Sequence, residues 1–337
     1  MNTAEAVALA QRLWASLPER KLEARGVLNG LFGDHLETAG SPLAIEMTLC
    51  RGDRTPLSHP PEAPVGTGPS ACVLVHGLMG TDHAWSFARG DDTAEFGEAL
   101  ADARQATPIY ARYNTGRHIS VNGRELAERL EALVQAWPGL QQLSIVAHSM
   151  GGLVTRSAVH YGMEAGHTWV GMLSRVFLLG APSHGAPLEQ LVHVAAFTLE
   201  AVWNPWTKII GKLLNLRSAG IKDLRHGFVL DEDWRNRDVD ELALRKPRPA
   251  SMPDHVRWFI AAGTVGQPKG KWGWLIGDGL VRSPSAQGKG FGTLEPGLLP
   301  NAKHRVFDQT SHIALMNDPA VLEQIVQWWA DDEAGPS

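Results

Sequence analysis

Short apolar runs alternate with helical patterns from residue 71 onward, and this alternation constrains the fold more than any other feature. The runs lie at 72–75, 107–110, 143–147, 175–179, 256–261 and 304–307. The helical patterns lie at 93–103, 123–137, 151–164 and 319–330. Strands that alternate with helices form βαβ units, so we predict a mostly parallel sheet with helices on both faces.

The first 65 residues have a different pattern. Good helix formers fill 4–17 up to Pro18, and a second helical pattern spans 21–32. Residues 51–70 are rich in proline, glycine and serine, which is typical of a linker or an extended loop. We therefore predict an N-terminal helical extension and linker at 1–65, followed by one α/β domain at 71–330.

Composition and motifs exclude several classes of protein. The net charge is −5 and no lysine or arginine run occurs, so no nucleic-acid partner is expected. Cys50 and Cys72 have no metal-ligand spacing, and two reduced, buried thiols are favoured over a disulfide. No metalloprotease, EF-hand or nucleotide-loop motif occurs, so we expect no metal and no cofactor.

Targeting signals are not evident in the sequence. The first residues carry Glu5 and lack the basic start of a secretory signal. No stretch of 18 uncharged apolar residues could form a transmembrane segment. The sequence therefore predicts a cytoplasmic location; it does not indicate an oligomeric state.

The segment LSIVAHSMGG at 143–152 passes from an apolar strand into a helix through a turn centred on Ser149. Small residues two positions away, Ala147 and Gly151, permit the tight turn of a nucleophile elbow. The helix N-terminus behind the serine adds hydrogen-bond donors and a positive dipole end. The alternative is a serine that only caps the helix; the strand–turn–helix context favours a nucleophile.

A nucleophilic serine needs a base, and the base needs an orienting acid, in the chain order serine, acid, histidine for this topology. His312 lies in the loop after the last predicted strand, where the base is expected. Asp278, between two glycines beyond the strand at 256–261, is the predicted acid. Ser149, Asp278 and His312 are therefore the predicted catalytic residues.

Other titratable residues compete for these roles. Asp308 lies four residues before His312, while Asp254 precedes its strand and so lies at the opposite edge of the sheet. His304 lies within or just before the last strand, and we interpret it as a packed or surface residue. Asp308 remains the alternative acid.

An oxyanion hole requires two backbone N–H groups directed at the developing negative charge. The residue after the nucleophile, Met150, is predicted to supply one of them. The other is expected in HGLMGTD at 76–82, where Gly77 and Gly80 permit close backbone approach and Leu78 is the predicted donor.

Five segments together resemble the lipase and esterase branch of the α/β-hydrolase superfamily: VLVHGLMGTDHAW, IVAHSMGG, FLLGAPSHGAP, GDGLVRSPSA and TSHIALMND. They are similar to bacterial lipases and to the hydrolase domain of glycosylphosphatidylinositol deacylases. The resemblance implies the α/β-hydrolase fold and hydrolysis of carboxylic esters. Two departures are the elbow, which opens with Ala147 instead of the commoner glycine, and one extra residue in the turn at 181–185.

The long interval between two predicted strands, at about 183–250, predicts a helical cap inserted above the site. We expect Trp203 and Trp206 near its tip, lining an apolar pocket or forming the core of the cap itself. Such a cap fits a small-molecule or lipid ester substrate and permits contact with a lipid interface.

The sequence thus predicts a serine hydrolase of the lipase or carboxylesterase kind that acts through an acyl-enzyme. An acyltransferase or an amidase with the same triad is the nearest alternative. A non-catalytic binding protein on a hydrolase fold is the alternative from another class. His148 is expected to pack or hydrogen-bond at the elbow, and Asp82, His83 and His184 to hold loops or to lie near the mouth of the site.

Overall fold

The computed structural model describes residues 2–17, 22–63, 65–66, 68–89, 92–182, 218–235, 247–264, 299 and 301–333. Its strands are β1 Thr48–Cys50, β2 Ser70–Val75, β3 Ser86–Arg89, β4 Asp92–Glu95, β5 Thr107–Arg112, β6 Gln142–His148, β7 Leu173–Leu179, β8 Arg257–Thr264 and β9 Lys303–Asp308. Its α-helices are α1 Thr3–Ala15, α2 Leu22–Thr38, α3 Phe96–Arg104, α4 Ile119–Gln135, α5 Met150–Ala165, α6 Thr168–Met172, α7 Ala219–His226, α8 Asp231–Trp234 and α9 Pro319–Glu333.

Seven of the described strands form one sheet in the order β1-β5-β2-β6-β7-β8-β9. All neighbours in it are parallel except β1, which pairs antiparallel with β5 at one edge. The chain runs outward from β2 to β5 and then returns past β2 to β6. This places a topological switch point between β2 and β6, and the crevice outside the carboxyl ends of these strands is where such folds bind ligands.

Successive side chains of the central strands enter two separate cores, because side chains alternate between the faces of a sheet. Val73, Ile145 and Val176 pack in one core with residues of α1, α2, α4 and α5. Leu74 and Val146 pack in the other core with residues of α3 and α9. The mostly parallel sheet, its strand order and its two helical layers make this the α/β-hydrolase fold, as predicted.

Each of the six predicted strands is present. Each is longer than predicted, and β8 begins one residue later and ends three residues later than expected. One predicted helix begins later than expected, because Thr93 belongs to β4, which forms a separate two-stranded hairpin with β3. Cys50 and Cys72 are both free and buried, as predicted, and burial raises the pKa of each thiol to about 12.

The N-terminal segment supplies one strand to the main sheet, which the sequence did not predict. Thr48 of β1 pairs with Arg112 of β5, and Leu49 pairs with Ala111. Helix α2 extends to Thr38, beyond the predicted end, and most of its residues from 24 to 33 are buried. The segment therefore packs as part of the hydrolase core, although the predicted domain boundaries stay a prediction.

The described part of the predicted cap segment packs against α4 and α5. Asp223 of α7 accepts a hydrogen bond from the Ile119 N–H at the start of α4, with an Oδ2–N distance of 2.8 Å. Ser157 of α5 donates to the Val229 carbonyl at 2.6 Å. These contacts fix residues 218–235 along the two helices on the way to β8.

The other parts of that segment, 183–217 and 236–246, lie outside the described residues, and with them Trp203, Trp206 and His184. The cap therefore stays a prediction. In the ranges that the structure does describe, every helix is too short or too polar to span a lipid bilayer.

Candidate active site

Ser149 lies between β6 and α5, at the carboxyl edge of the sheet, with φ 53° and ψ −123°. A side chain at positive φ is unfavourable, so the surrounding backbone must hold this conformation. The Ser149 N–H donates to the Leu179 carbonyl at 2.9 Å, and the Gly152 N–H donates to the Ser149 carbonyl at 3.0 Å. This is the strained strand-to-helix turn that the sequence predicted.

The turn also depends on close approach by the end of β2. A Cβ atom on Gly151 would lie 2.6 Å from the His76 carbonyl oxygen, so no larger residue fits there. Ser149 is 1% exposed, and its Oγ accepts or donates no hydrogen bond among the described residues. The hydroxyl is therefore not committed to a structural role, unlike a helix-capping serine.

His312 follows β9 and lies at the same edge of the sheet as Ser149, 2% exposed. Its position is constrained by Gly180, at the end of β7, which has φ 61°. A Cβ atom on Gly180 would lie 2.8 Å from His312 Nδ1, so the imidazole lies directly against the backbone at this point. The structure thus brings the predicted nucleophile, after β6, and the predicted base, after β9, to the same edge of the sheet.

His148 directly precedes Ser149 in the chain and contacts His312. Its Nε2 lies 2.9 Å from the His312 carbonyl oxygen, and the two rings are 4.7 Å apart between centroids. Because a carbonyl oxygen only accepts, Nε2 must carry the proton. Burial, and next the nearby charge of His312, hold the pKa of His148 well below its usual value. His148 therefore stays neutral and fastens the loop that carries His312, as its predicted packing role implies.

The predicted acid, Asp278, lies outside the described residues. Asp82, which was expected to hold a loop or to lie near the mouth, is fully buried and binds Arg112 through two hydrogen bonds of 2.6 and 2.8 Å. Burial raises the pKa of Asp82, but the hydrogen bonds and charge of Arg112 outweigh burial and leave that pKa below its usual value. His83 is more exposed, 3.7 Å from Glu23.

Residues 76–80 form a tight turn at the end of β2, which we call the oxyanion turn because the sequence predicts an oxyanion donor in it. Met79 has φ 62°, and its N–H donates to Thr115 Oγ1 at 3.1 Å. The Gly80 N–H donates to the Gly77 carbonyl, also at 3.1 Å. These two amides are engaged within the protein, and the amide of Leu78, the predicted donor, is not one of them.

Met150 is the first residue of α5, where backbone N–H groups have no partner within the helix. A Cβ atom on Gly77 would lie 3.0 Å from Ser149 Cβ, so the oxyanion turn lies next to the nucleophile. The turn that carries Leu78 and the helix start at Met150 therefore both lie next to Ser149, and their roles as donors stay a prediction. Helix α5 also directs the positive end of its dipole toward this point.

Two residues that support the oxyanion turn were not identified from the sequence. The Tyr113 hydroxyl donates to the His76 carbonyl at 2.7 Å, and its ring stacks on the His76 ring at 4.3 Å. The Thr115 hydroxyl oxygen accepts the Met79 N–H at 3.1 Å. Both follow β5, so the rule that carboxyl ends of parallel strands share one edge could have placed them here.

In the described part of the chain, no group of three or more histidine, cysteine or carboxylate side chains could hold a metal ion. The polar groups near Ser149 are histidines and backbone amides. This donor set suits proton transfer and stabilisation of an oxyanion.

Stability should fall on acidification, because both His76 and His148 are buried with lowered pKa values. Burial lowers the pKa of His76 from 6.5 to about 4. Between these pH values the unfolded chain binds a proton that the folded chain does not, so the unfolding free energy falls as the pH falls. His76 alone should account for about 3 kcal/mol between pH 6.5 and pH 4.

Urea unfolding at pH 7 and pH 4.5 measures this effect. The variant His76→Gln should show a smaller difference between the two pH values than the wild type. The variant His59→Gln, at an exposed position, should keep the full difference. An identical pH dependence in the wild type and in His76→Gln would contradict the assignment.

Residues 70–179 match the model of the family described as "Putative serine esterase (DUF676)". This range contains β2, the oxyanion turn and the Ser149 elbow, and the match supports an esterase-like or lipase-like hydrolase. No curated protein matches the sequence.

Solved structures resemble the chain more distantly. The mature lipase BlEst2 of Bacillus licheniformis is 20% identical, with 83% of this chain and 97% of that chain covered and a TM-score of 0.47. The esterase RhEst1 of Rhodococcus sp. ECU1013 is 15% identical, with 86% and 98% covered and a TM-score of 0.42. The sheet order itself establishes the fold: this is a chain with the α/β-hydrolase architecture whose segment 70–179 matches a serine esterase family.

Proposed function

We propose that the protein is a serine hydrolase that cleaves carboxylic esters through an acyl-enzyme. The observation that carries this proposal is Ser149 at positive φ on the elbow, with His312 against the adjacent His148 and the oxyanion turn beside it. A serine that only capped a helix would need neither the strained turn nor a buried histidine nearby. The esterase family match over 70–179 supports the same conclusion.

In the proposed reaction, Ser149 Oγ forms a bond to the ester carbonyl carbon while His312 takes the hydroxyl proton. The Leu78 and Met150 amides stabilise the negative charge on the carbonyl oxygen. The carbon–oxygen bond to the alcohol then breaks, and His312 returns the proton to the leaving alcohol. Water attacks the acyl-enzyme with the same base, which releases the acid and restores the serine. Asp278 orients the imidazole and stabilises its cationic form.

The proposal also includes the substrate class and the location of the protein in the cell. A small-molecule ester or a lipid ester fits the chemistry, and a cap at about 183–250 with Trp203 and Trp206 would provide an apolar surface for an acyl chain or for contact with a lipid interface. A cytoplasmic location remains a prediction from the sequence.

A panel of p-nitrophenyl esters, with acyl chains from acetate to palmitate, tests this function. We expect the purified chain to release both acid and alcohol without any added cofactor. For a lipase, the rate with long-chain esters should rise once the substrate forms an interface, whereas an esterase should prefer short soluble esters.

Product analysis separates the alternatives. An ester product that appears when an alcohol is added would indicate an acyltransferase, and turnover of anilides in the absence of ester turnover would indicate an amidase. If the chain converts neither esters nor amides and binds an acyl ligand unchanged, the enzymatic proposal is wrong and a binding protein is indicated.

A further inference from the structure

The N-terminal helix α2, which lies outside the matched segment 70–179, packs directly on the oxyanion turn. We propose that α2 is a positioning element for catalysis: Gly30 of α2 and Thr115 hold Met79 between them and thereby set the direction of the neighbouring Leu78 amide. The inference rests on the proposed function, since it assigns α2 a part in the same reaction.

One face of α2 consists of glycines. Gly26, Gly30 and Gly33 are spaced by four and three residues, which places them on the same side of the helix. A Cβ atom on Gly30 would overlap the Met79 side chain and lie 3.2 Å from Met79 Cα. A Cβ atom on Gly26 would lie 2.9 Å from the carbonyl oxygens of Met79 and Gly80. The backbone of the helix therefore lies directly against the backbone of the turn.

Thr115 holds the turn through a hydrogen bond. Its Oγ1 accepts the Met79 N–H at 3.1 Å, and Met79 has the positive φ that a residue with a side chain rarely adopts. Such a conformation persists only where the surroundings determine it. Contact with α2 and the hydrogen bond to Thr115 are two constraints that act directly on Met79.

The loop that carries Thr115 is itself fixed to α2. Asn114 Nδ2 donates to the Gly33 carbonyl at 2.9 Å, and a Cβ atom on Gly116 would lie 2.6 Å from the Gly33 nitrogen. Asn29 of α2 also donates to the Leu43 carbonyl and accepts the Ile45 N–H, both at 2.8 Å. Helix α2 is thus held by the loop after β5 and by residues 43–45, and a displacement of the helix would displace the turn.

This packing bears on catalysis because of where Leu78 lies. Leu78 directly precedes Met79 in the chain. A shift of the Met79 backbone would therefore shift the Leu78 backbone and change the direction of the Leu78 N–H. Oxyanion donors act at about 2.7–3.1 Å from the charged oxygen, and the interaction develops in the transition state. A small displacement should therefore lower kcat while it leaves KM nearly unchanged.

Two pairs of variants test the role of α2. Gly30→Ala introduces the Cβ atom that Met79 cannot accommodate, and Gly171→Ala is its control, because a Cβ atom on Gly171 would meet no atom within 4 Å. Thr115→Val removes the acceptor for the Met79 N–H with little change in shape, and Thr115→Ser restores that acceptor. The reactive sites are counted by fluorophosphonate labelling of a separate sample, so that the kcat of the unlabelled enzyme can be expressed per site able to react.

We expect Gly30→Ala and Thr115→Val to lower kcat per reactive site about 10- to 100-fold, the range for a misplaced catalytic group. KM should change little. The affinity for an aryl trifluoromethyl ketone, which forms an oxyanion on the serine, should fall by a similar factor, because its bound form resembles the tetrahedral intermediate. Gly171→Ala and Thr115→Ser should remain close to the wild type.

A purely structural helix would give a different pattern. The melting temperature and the labelled fraction would fall, while kcat per reactive site and ketone affinity would stay unchanged, and this result would overturn the proposal. If Gly30→Ala does not fold, the two Thr115 variants decide by the same criteria. A wild-type chain that hydrolyses no ester would instead refute the proposed function, which separates the two failures.

Discussion

Replacing Ser149 with alanine is expected to abolish covalent labelling by a fluorophosphonate and to lower ester turnover by about 10⁴-fold or more. The reason is that the acyl-enzyme needs a bond from the Oγ atom to the substrate, and alanine removes that atom while the fold stays intact. Residual hydrolysis should reflect only the oxyanion donors and substrate binding. Mass spectrometry of the labelled protein identifies the modified residue.

Ser144, on the strand β6 that leads to Ser149, provides a matched control. Its side chain is fully buried, and its Oγ has no hydrogen-bond partner among the described residues, as for Ser149. Ser144 lies within β6, away from the elbow, so Ser144→Ala should keep both labelling and turnover. Turnover by Ser149→Ala close to that of the wild type, or labelling at another serine, would contradict the proposed nucleophile.

The central sheet could be predicted from the sequence because each strand is a short, buried apolar run between two helices. Runs such as 72–75 and 143–147 are continuously apolar, because these strands are buried on both faces of the sheet. The Ser149 elbow was predictable for a related reason: a strand, a tight turn and a helix follow one another within ten residues. These features are local in the sequence.

The elements that were missed depend on distant contacts. Strand β1 has three residues and exists because it pairs with β5, some sixty positions later in the chain. Helix α2 itself was predicted, but its packing was not: its glycines weaken a helix by themselves, and only the folded chain shows that they permit close packing on the oxyanion turn. Thr115 has no motif of its own, and only the folded chain brings it to the Met79 amide.

The described carboxylates near the site are engaged elsewhere, which bears on the identity of the catalytic acid. Asp82 binds Arg112 through both of its oxygens. Asp308, the alternative from the sequence, is exposed and accepts a hydrogen bond from Thr264 at 3.2 Å. Asp318 accepts the Thr310 hydroxyl and the Ala320 N–H at the start of α9, both at 2.9 Å.

Asp278→Asn is therefore expected to lower kcat by about 10⁴-fold, because an amide in place of the carboxylate favours the wrong imidazole tautomer and cannot stabilise the imidazolium. Asp308→Asn is the matched control, since asparagine keeps an oxygen that can accept the Thr264 hydroxyl, and its kcat should stay close to the wild type. Both variants should still fold, as circular dichroism would verify. The reverse result, a large loss with Asp308→Asn and little with Asp278→Asn, would identify Asp308, at the end of β9, as the catalytic acid. The exposed side chain of Asp308 would then have to turn toward His312.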